Sequence, residues 1–151
     1  KSGKKIVEKI KVKEPIRVVL GNSGISANTA ELDGLVEDLN RKDPKLHSSR
    51  LKKVTEQVFA VKEALLKHDL KEVGKIITEN HKILIDMGLS HKKLIELCNI
   101  ALENGAYGAK LTGGGMGGFM IALTPEEELQ ERVGKAIEER GFYVIKAQIG
   151  D

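Results

Sequence analysis

Five of the six residues from Gly113 to Gly118 are glycine, and they stand between two apolar segments, 109–112 and 119–123. Each glycine in regular structure costs about 0.5–1 kcal/mol relative to alanine. A short hairpin needs only one or two of them, so this run implies unusual dihedrals or close approach by another group. Main-chain N–H groups with no Cβ in the way form a nest for an anion, and a hydrogen bond to a charged group is worth about 1.5–3 kcal/mol. Phosphate is the obvious candidate, and a wide hairpin without ligand is the alternative. Two common phosphate motifs fail on context. Gly113, Gly115 and Gly118 satisfy G-x-G-x-x-G, but the glycines run into the strand-like Phe119-Met120-Ile121-Ala122-Leu123 and not into a helix. A Walker loop ends in Gly-Lys-Ser/Thr, whereas Lys110 precedes the glycines. Lys110 and Thr112, one strand period apart, share a face beside the loop. They could supply a positive charge and a hydroxyl, and both are also ordinary residues of a strand surface.

The remaining chain reads as one domain, residues 1–151. At 151 residues it is long enough to bury roughly 68–70% of its unfolded surface. Apolar residues at 40% and charged residues at 31% exclude a disordered chain. A net charge of +3, evenly spread, and the absence of Trp argue against nucleic acid as a partner. No apolar run reaches the 18 or more residues of a membrane span, and the lysine-rich start lacks the apolar stretch of a signal peptide. The expectation is a cytoplasmic protein with no membrane partner. The single cysteine, Cys98, excludes an internal disulfide framework and most thiolate metal sites, so no metal site is expected in this chain. The first residue is Lys1 and not Met, which suggests a piece of a longer chain.

Periodicity orders the elements. An edge strand is predicted over 4–13, guarded by Lys4, Lys5, Lys9, Lys11 and Lys13, followed by a buried strand over 16–20. The turn Gly21-Asn22-Ser23-Gly24 precedes a helix capped by Ser26, Asn28 or Thr29 and reaching about residue 40. Pro44 breaks the chain. A helix over 46–68 buries Leu51, Val54, Val58, Val61 and Leu65. Asp69 caps the next, whose stripe holds Val73, Ile76, Ile77, Asn80, Leu84 and Met87 and which Gly88 ends. Ser90 caps a further helix that stops at Asn104-Gly105. Two strands flank the glycine loop. Thr124-Pro125-Glu126-Glu127 starts a helix to Arg140, and 142–149 is a final strand. The fold class is α+β, an antiparallel sheet covered on one face by helices.

The stretch Gly108-Ala109-Lys110-Leu111-Thr112-Gly113-Gly114-Gly115-Met116-Gly117-Gly118 resembles the C-terminal motif of the GHMP kinases, the family of galactokinase, homoserine kinase, mevalonate kinase and phosphomevalonate kinase. Residues 21–29, residues 80–84 through Leu89-Ser90-His91, and residues 141–150 make the mevalonate kinase branch the most similar. The resemblance runs from about Ile16 to the end. It implies a ferredoxin-like C-terminal domain whose N-terminal, ATP-binding domain is absent from this sequence. It implies ATP and Mg2+ as cofactors, bound mainly by that missing half, and transfer of the ATP γ-phosphoryl group to the 5-hydroxyl of mevalonate. The Gly-Leu-Gly-Ser-Ser-Ala phosphate loop, the magnesium-holding Glu and the catalytic Asp have no counterpart here, so no residue of this chain is expected to be catalytic. The substrate and phosphate site would be lined by Ser23, Lys110, Thr112, Gly113, Gly114, Gly115, Gly117 and Gly118. Met116 departs from the small residue usual within the loop. Partners implied are mevalonate, ATP, the N-terminal kinase domain and a second copy in a homodimer. Another GHMP kinase, or a stand-alone binding or regulatory domain, remains the alternative.

Other residues have plainer readings. Ser23 is also an ordinary turn residue. Asn80 on an apolar stripe must find partners for its amide, and His81 hydrogen-bonds across the helix layer. His47, His68 and His91 are expected in solvent. Cys98 is a small core residue. Separation from a companion domain would leave an apolar patch around the glycine loop and drive self-association.

Overall fold

A computed structural model describes residues 14–25, 29–112 and 118–150. The β-branched run after Pro15 forms β1 (Ile16–Asn22), the centre of the sheet. Four helices come next, α1 (Thr29–Lys42), α2 (Pro44–Leu66), α3 (Leu70–Asp86) and α4 (Lys92–Glu103). Then come β2 (Gly108–Thr112), β3 (Phe119–Leu123), α5 (Glu127–Glu139) and β4 (Tyr143–Ile149). The strands pair antiparallel in the order β2-β3-β1-β4, with Asn22 opposite both Phe119 and Tyr143, and Thr112 opposite Phe119. The α+β antiparallel class read from the sequence is the class adopted, but helices cover both faces and not one, α4 and α5 on one side and α2 and α3 on the other.

Strand alternation divides the core in two. Val19, Ala109, Met120 and Ala122 face α4 and α5, meeting Leu97, Cys98, Ala101, Leu129, Val133 and Ile137. Burial of a side chain such as Leu97 contributes about 1.5–3 kcal/mol. Ile16, Val18 and Leu123 point the other way, against Ala64 of α2 and Val73 of α3. On that second face α2 and α3 cover the end of the sheet distant from the glycine loop. The end nearer the loop carries Tyr143 and Ile145, 65% and 39% exposed, with Ile25 exposed beside it.

α3 reaches β2 because both lack a side chain where they cross. A Cβ on Gly108 would stand 2.0 Å from the Gly74 carbonyl oxygen, and one on Gly74 would stand 2.2 Å from that of Tyr107. This approach lets Thr78 Oγ1 accept the Ala109 N–H at 3.2 Å. An outward main-chain donor of the edge strand is thereby satisfied.

Several local expectations are corrected. The break expected at Pro44 falls between α1 and α2, but the second helix begins at Pro44 itself and not at 46, capped by Asp43, which accepts the Leu46 N–H at 3.0 Å. The buried side of α2 is not the Leu51/Val58 stripe, since both are exposed. His47, Gln57 and Ala64 are buried, with Val54 and Val61 half-buried, because α3 packs on the neighbouring stripe. His47 is thus interior and not solvated. His68 and His91 are half-buried, His68 within 3.1 Å of Glu14 and His91 at the N-cap of α4. Ser90 does not cap that helix; its hydroxyl meets His81. Thr124 caps nothing: it is fully buried, and its N–H and hydroxyl both donate to the Arg17 carbonyl while α5 begins at Glu127. The expected strand over 4–13, its lysines, and caps Ser26 and Asn28 lie outside the described residues.

Candidate functional site

β1 ends in a tight turn held by its own side chains. Asn22 Oδ1 accepts the Gly24 N–H at 2.8 Å, and Ser23 Oγ accepts the Ile25 N–H at 3.3 Å. Gly24 takes the left-handed region at φ +79°, open to a residue with no Cβ. The local-turn reading of Ser23 is therefore correct, and the turn does more. Ser23 N–H donates to the Gly118 carbonyl at 2.7 Å, and Gly118 N–H donates to the Ile25 carbonyl at 2.8 Å. These two bonds clasp the turn to the last residue of the glycine loop. A Cβ on Gly118 would stand 1.9 Å from Ser23 Oγ and 2.7 Å from the Ile25 carbonyl oxygen, so no larger residue fits.

Thr112, at the loop's other root, lies across the sheet from Phe119 and Asn22, and Lys110 lies two pairs back, opposite Ile121. The structure thus gathers Ser23, Thr112 and Gly118 at one end of the sheet, with Lys110 at the middle pair of the β2–β3 ladder. Gly113, Gly114, Gly115 and Gly117 lie outside the described residues.

Lys110 is half-buried, and its ammonium donates to Asn80 Oδ1 at 2.6 Å. Asn80 Nδ2 donates in turn to Gln57 Oε1 at 2.9 Å. Burial lowers the Lys110 pKa from its ordinary value. His81, beside Asn80 on α3, is buried and 2.9 Å from Ser90 Oγ. Burial first, and the Lys110 charge second, depress its imidazole to about 4, so it is neutral near pH 7. The need of Asn80 for partners is legible in the sequence; that Gln57 is one of them is not. The signal for Gln57 is a polar residue seven positions before Ala64 on the stripe of Val54 and Val61.

A sequence pattern described as GHMP kinases C terminal matches residues 61–142 of this chain. The chain belongs to that family. As a GHMP kinase C-terminal domain it has relatives of known name. Mevalonate kinase of Thermococcus gammatolerans is 39% identical over 117 residues, covering 74% of this chain and 35% of that protein. Mevalonate kinase of Thermococcus onnurineus is 36% identical over 139 residues, covering 89% and 41%. The chain therefore spans well under half the length of these relatives. Among solved structures, L. major mevalonate kinase in complex with R-mevalonate superposes with a TM-score of 0.89 at 24% identity, covering 95% of this chain and 45% of that one, a likeness of fold.

The family's cofactors fit this domain unequally. The Gly118 N–H is taken by the Ile25 carbonyl, so among these residues the Lys110 ammonium and the Ser23 hydroxyl are the groups that suit a phosphate. No three His, Cys, Asp or Glu side chains converge among the described residues, so these do not fit magnesium. No helix among the described residues is long and apolar enough to cross a membrane.

Proposed function

We propose that this chain is the C-terminal domain of a cytoplasmic mevalonate kinase, in which ATP donates its γ-phosphoryl group to the 5-hydroxyl of mevalonate. The observation that carries the reading is the Ser23–Gly118 clasp. It fixes the root of a glycine-rich loop on the strand pair that carries Lys110. Phosphoryl transfer depends on positioning and charge stabilisation more than on covalent chemistry by the protein. A domain with no catalytic carboxylate can therefore be essential to it. Family membership and the relatives named mevalonate kinase support the same reading.

In this proposal Ser23 faces mevalonate. Lys110, Thr112 and the loop residues Gly113, Gly114, Gly115, Gly117 and Gly118 face the phosphates and brace an N-terminal domain that supplies the base and holds Mg2+. The 151-residue chain alone is then inactive. The test is phosphotransfer with ATP, magnesium and a panel of mevalonate, phosphomevalonate, homoserine and galactose, run on the full-length protein and on this chain. Turnover of mevalonate by the full-length protein alone is the expected result. Turnover by the isolated chain would refute the division of labour, and preference for another alcohol would refute the substrate.

A further inference from the structure

The hydrogen-bond chain from Gln57 through Asn80 to Lys110 has a fixed direction. An ammonium only donates, so the Asn80 atom it meets at 2.6 Å is the carbonyl oxygen. The Asn80 nitrogen must then face outward along the chain, where it finds Gln57 Oε1 at 2.9 Å. Gln57 in turn leaves its own buried Nε2 without a partner among the described residues. An unpaired buried amide is expensive, and a leucine at the same place would pack α2 on α3 without that penalty. What the arrangement achieves is a lysine head held at one point. Among the described residues the ammonium makes this one hydrogen bond, which leaves two of its three donors for a ligand. The crossing at Gly74 and Gly108 is what brings α3 close enough to β2 for the bond to form.

We propose that Asn80, oriented by Gln57, is a positioning residue that fixes the Lys110 ammonium for a phosphoryl group of the bound nucleotide. The proposal rests on the kinase reading and adds to it residues on α2 and α3, outside every glycine motif. The titratable group facing Lys110 from α3 is His81, which stays neutral, and β3 presents Ile121 opposite. The fixed charge therefore answers to Asn80 and burial.

The test uses the full-length protein with Asn80→Ala, Asn80→Asp and Gln57→Ala. Loss of the acceptor in Asn80→Ala disfavours the ammonium, so the alkaline limb of kcat/KM moves to lower pH and kcat/KM at neutral pH falls at least tenfold. A carboxylate in Asn80→Asp favours the ammonium and moves the limb to higher pH. Gln57→Ala moves it as Asn80→Ala does, by less. A role in packing alone lowers the melting temperature and leaves the limb where it was; that result, or both Asn80 variants moving the limb the same way, overturns the proposal. A wild-type protein that transfers no phosphoryl group would mean that the kinase reading has failed. The Lys110 side-chain NMR titration with inorganic tripolyphosphate then decides: a pKa raised by the probe in wild type but not in Asn80→Ala supports positioning, and an equal response in both overturns it.

Discussion

Gly108→Ala isolates the contact on which the α3–β2 arrangement depends. The new Cβ would lie 2.0 Å from the Gly74 carbonyl oxygen and 2.5 Å from its Cα. Both are backbone atoms, so neither can swing aside, and α3 as a whole must retreat from β2. Overfilling a packed interface costs about 1–3 kcal/mol, and the absence of a yielding side chain places this case at the upper end. For a chain of this size about 3 kcal/mol corresponds to a fall in melting temperature of roughly 6–12 °C. Gly34→Ala is the matched control: it lies in α1, and its added Cβ meets nothing within 4 Å. Relief of glycine's unfolded-state entropy should stabilise it by about 0.5–1 kcal/mol. Thermal unfolding followed by circular dichroism should give shifts of opposite sign for the two variants. A Gly108→Ala protein that melts within about 2 °C of wild type would refute the reasoning, because the two backbones would then not be in contact.

Gly118→Ala should break the clasp on Ser23 and reduce mevalonate kcat/KM by an order of magnitude or more while leaving most of the fold intact; steady-state kinetics beside a melting curve separates the two effects. His81 titrates at about 4 in the fold against 6.5 unfolded, so its contribution to stability is complete above pH 6.5 and is lost as pH falls towards 4. That contribution is about 2–3 kcal/mol, and His81→Gln should flatten the stability–pH slope across this window in urea titrations. Burial pushes the Cys98 thiol up to about 12, so a thiol reagent should fail to label it until denaturant is added. Tyr143 and Ile145 leave an apolar patch on the uncovered end of the sheet, and the isolated chain should self-associate in sedimentation experiments, less so as Ile145→Glu.

What was legible in the sequence was local. Asp69 caps α3 by accepting the Glu72 N–H, and Gly88, Gly105 and Gly141 stop helices with positive φ, because each needs only a few neighbouring residues to act. The same grammar misled where a distant partner competed. Thr124 and Ser90 both look like helix caps, but Arg17 O lies 107 residues from Thr124 and takes its hydroxyl, and His81 takes that of Ser90. Along α2 two apolar stripes lie side by side, Leu51/Val58 and Val54/Val61, and which is covered depends on where α3 lands. The exposure of Val58 at 63% is a tertiary outcome that no single-helix pattern contains. At the site, the glycine run announced itself, but the Ser23–Gly118 clasp depends on strand register between segments almost a hundred residues apart.

Lys110 shows why register also decides function. On an edge strand a lysine is commonly a guard, solvated and turned outward so that no other chain can pair there. β2 is an edge of this sheet, yet one of its outward donors, the Ala109 N–H, is occupied by Thr78 of α3, so this part of the edge is covered without a charge. Lys110 is thereby freed from that duty and drawn into the α3 interface, where a buried cation is tolerable only with a fixed acceptor. Asn80 is that acceptor, two residues along α3 from Thr78. The helix that closes the edge thus also aims the charge, and both depend on the missing Cβ atoms of Gly74 and Gly108. A loss of edge protection and a loss of charge placement should consequently appear together in any variant that moves α3 off β2.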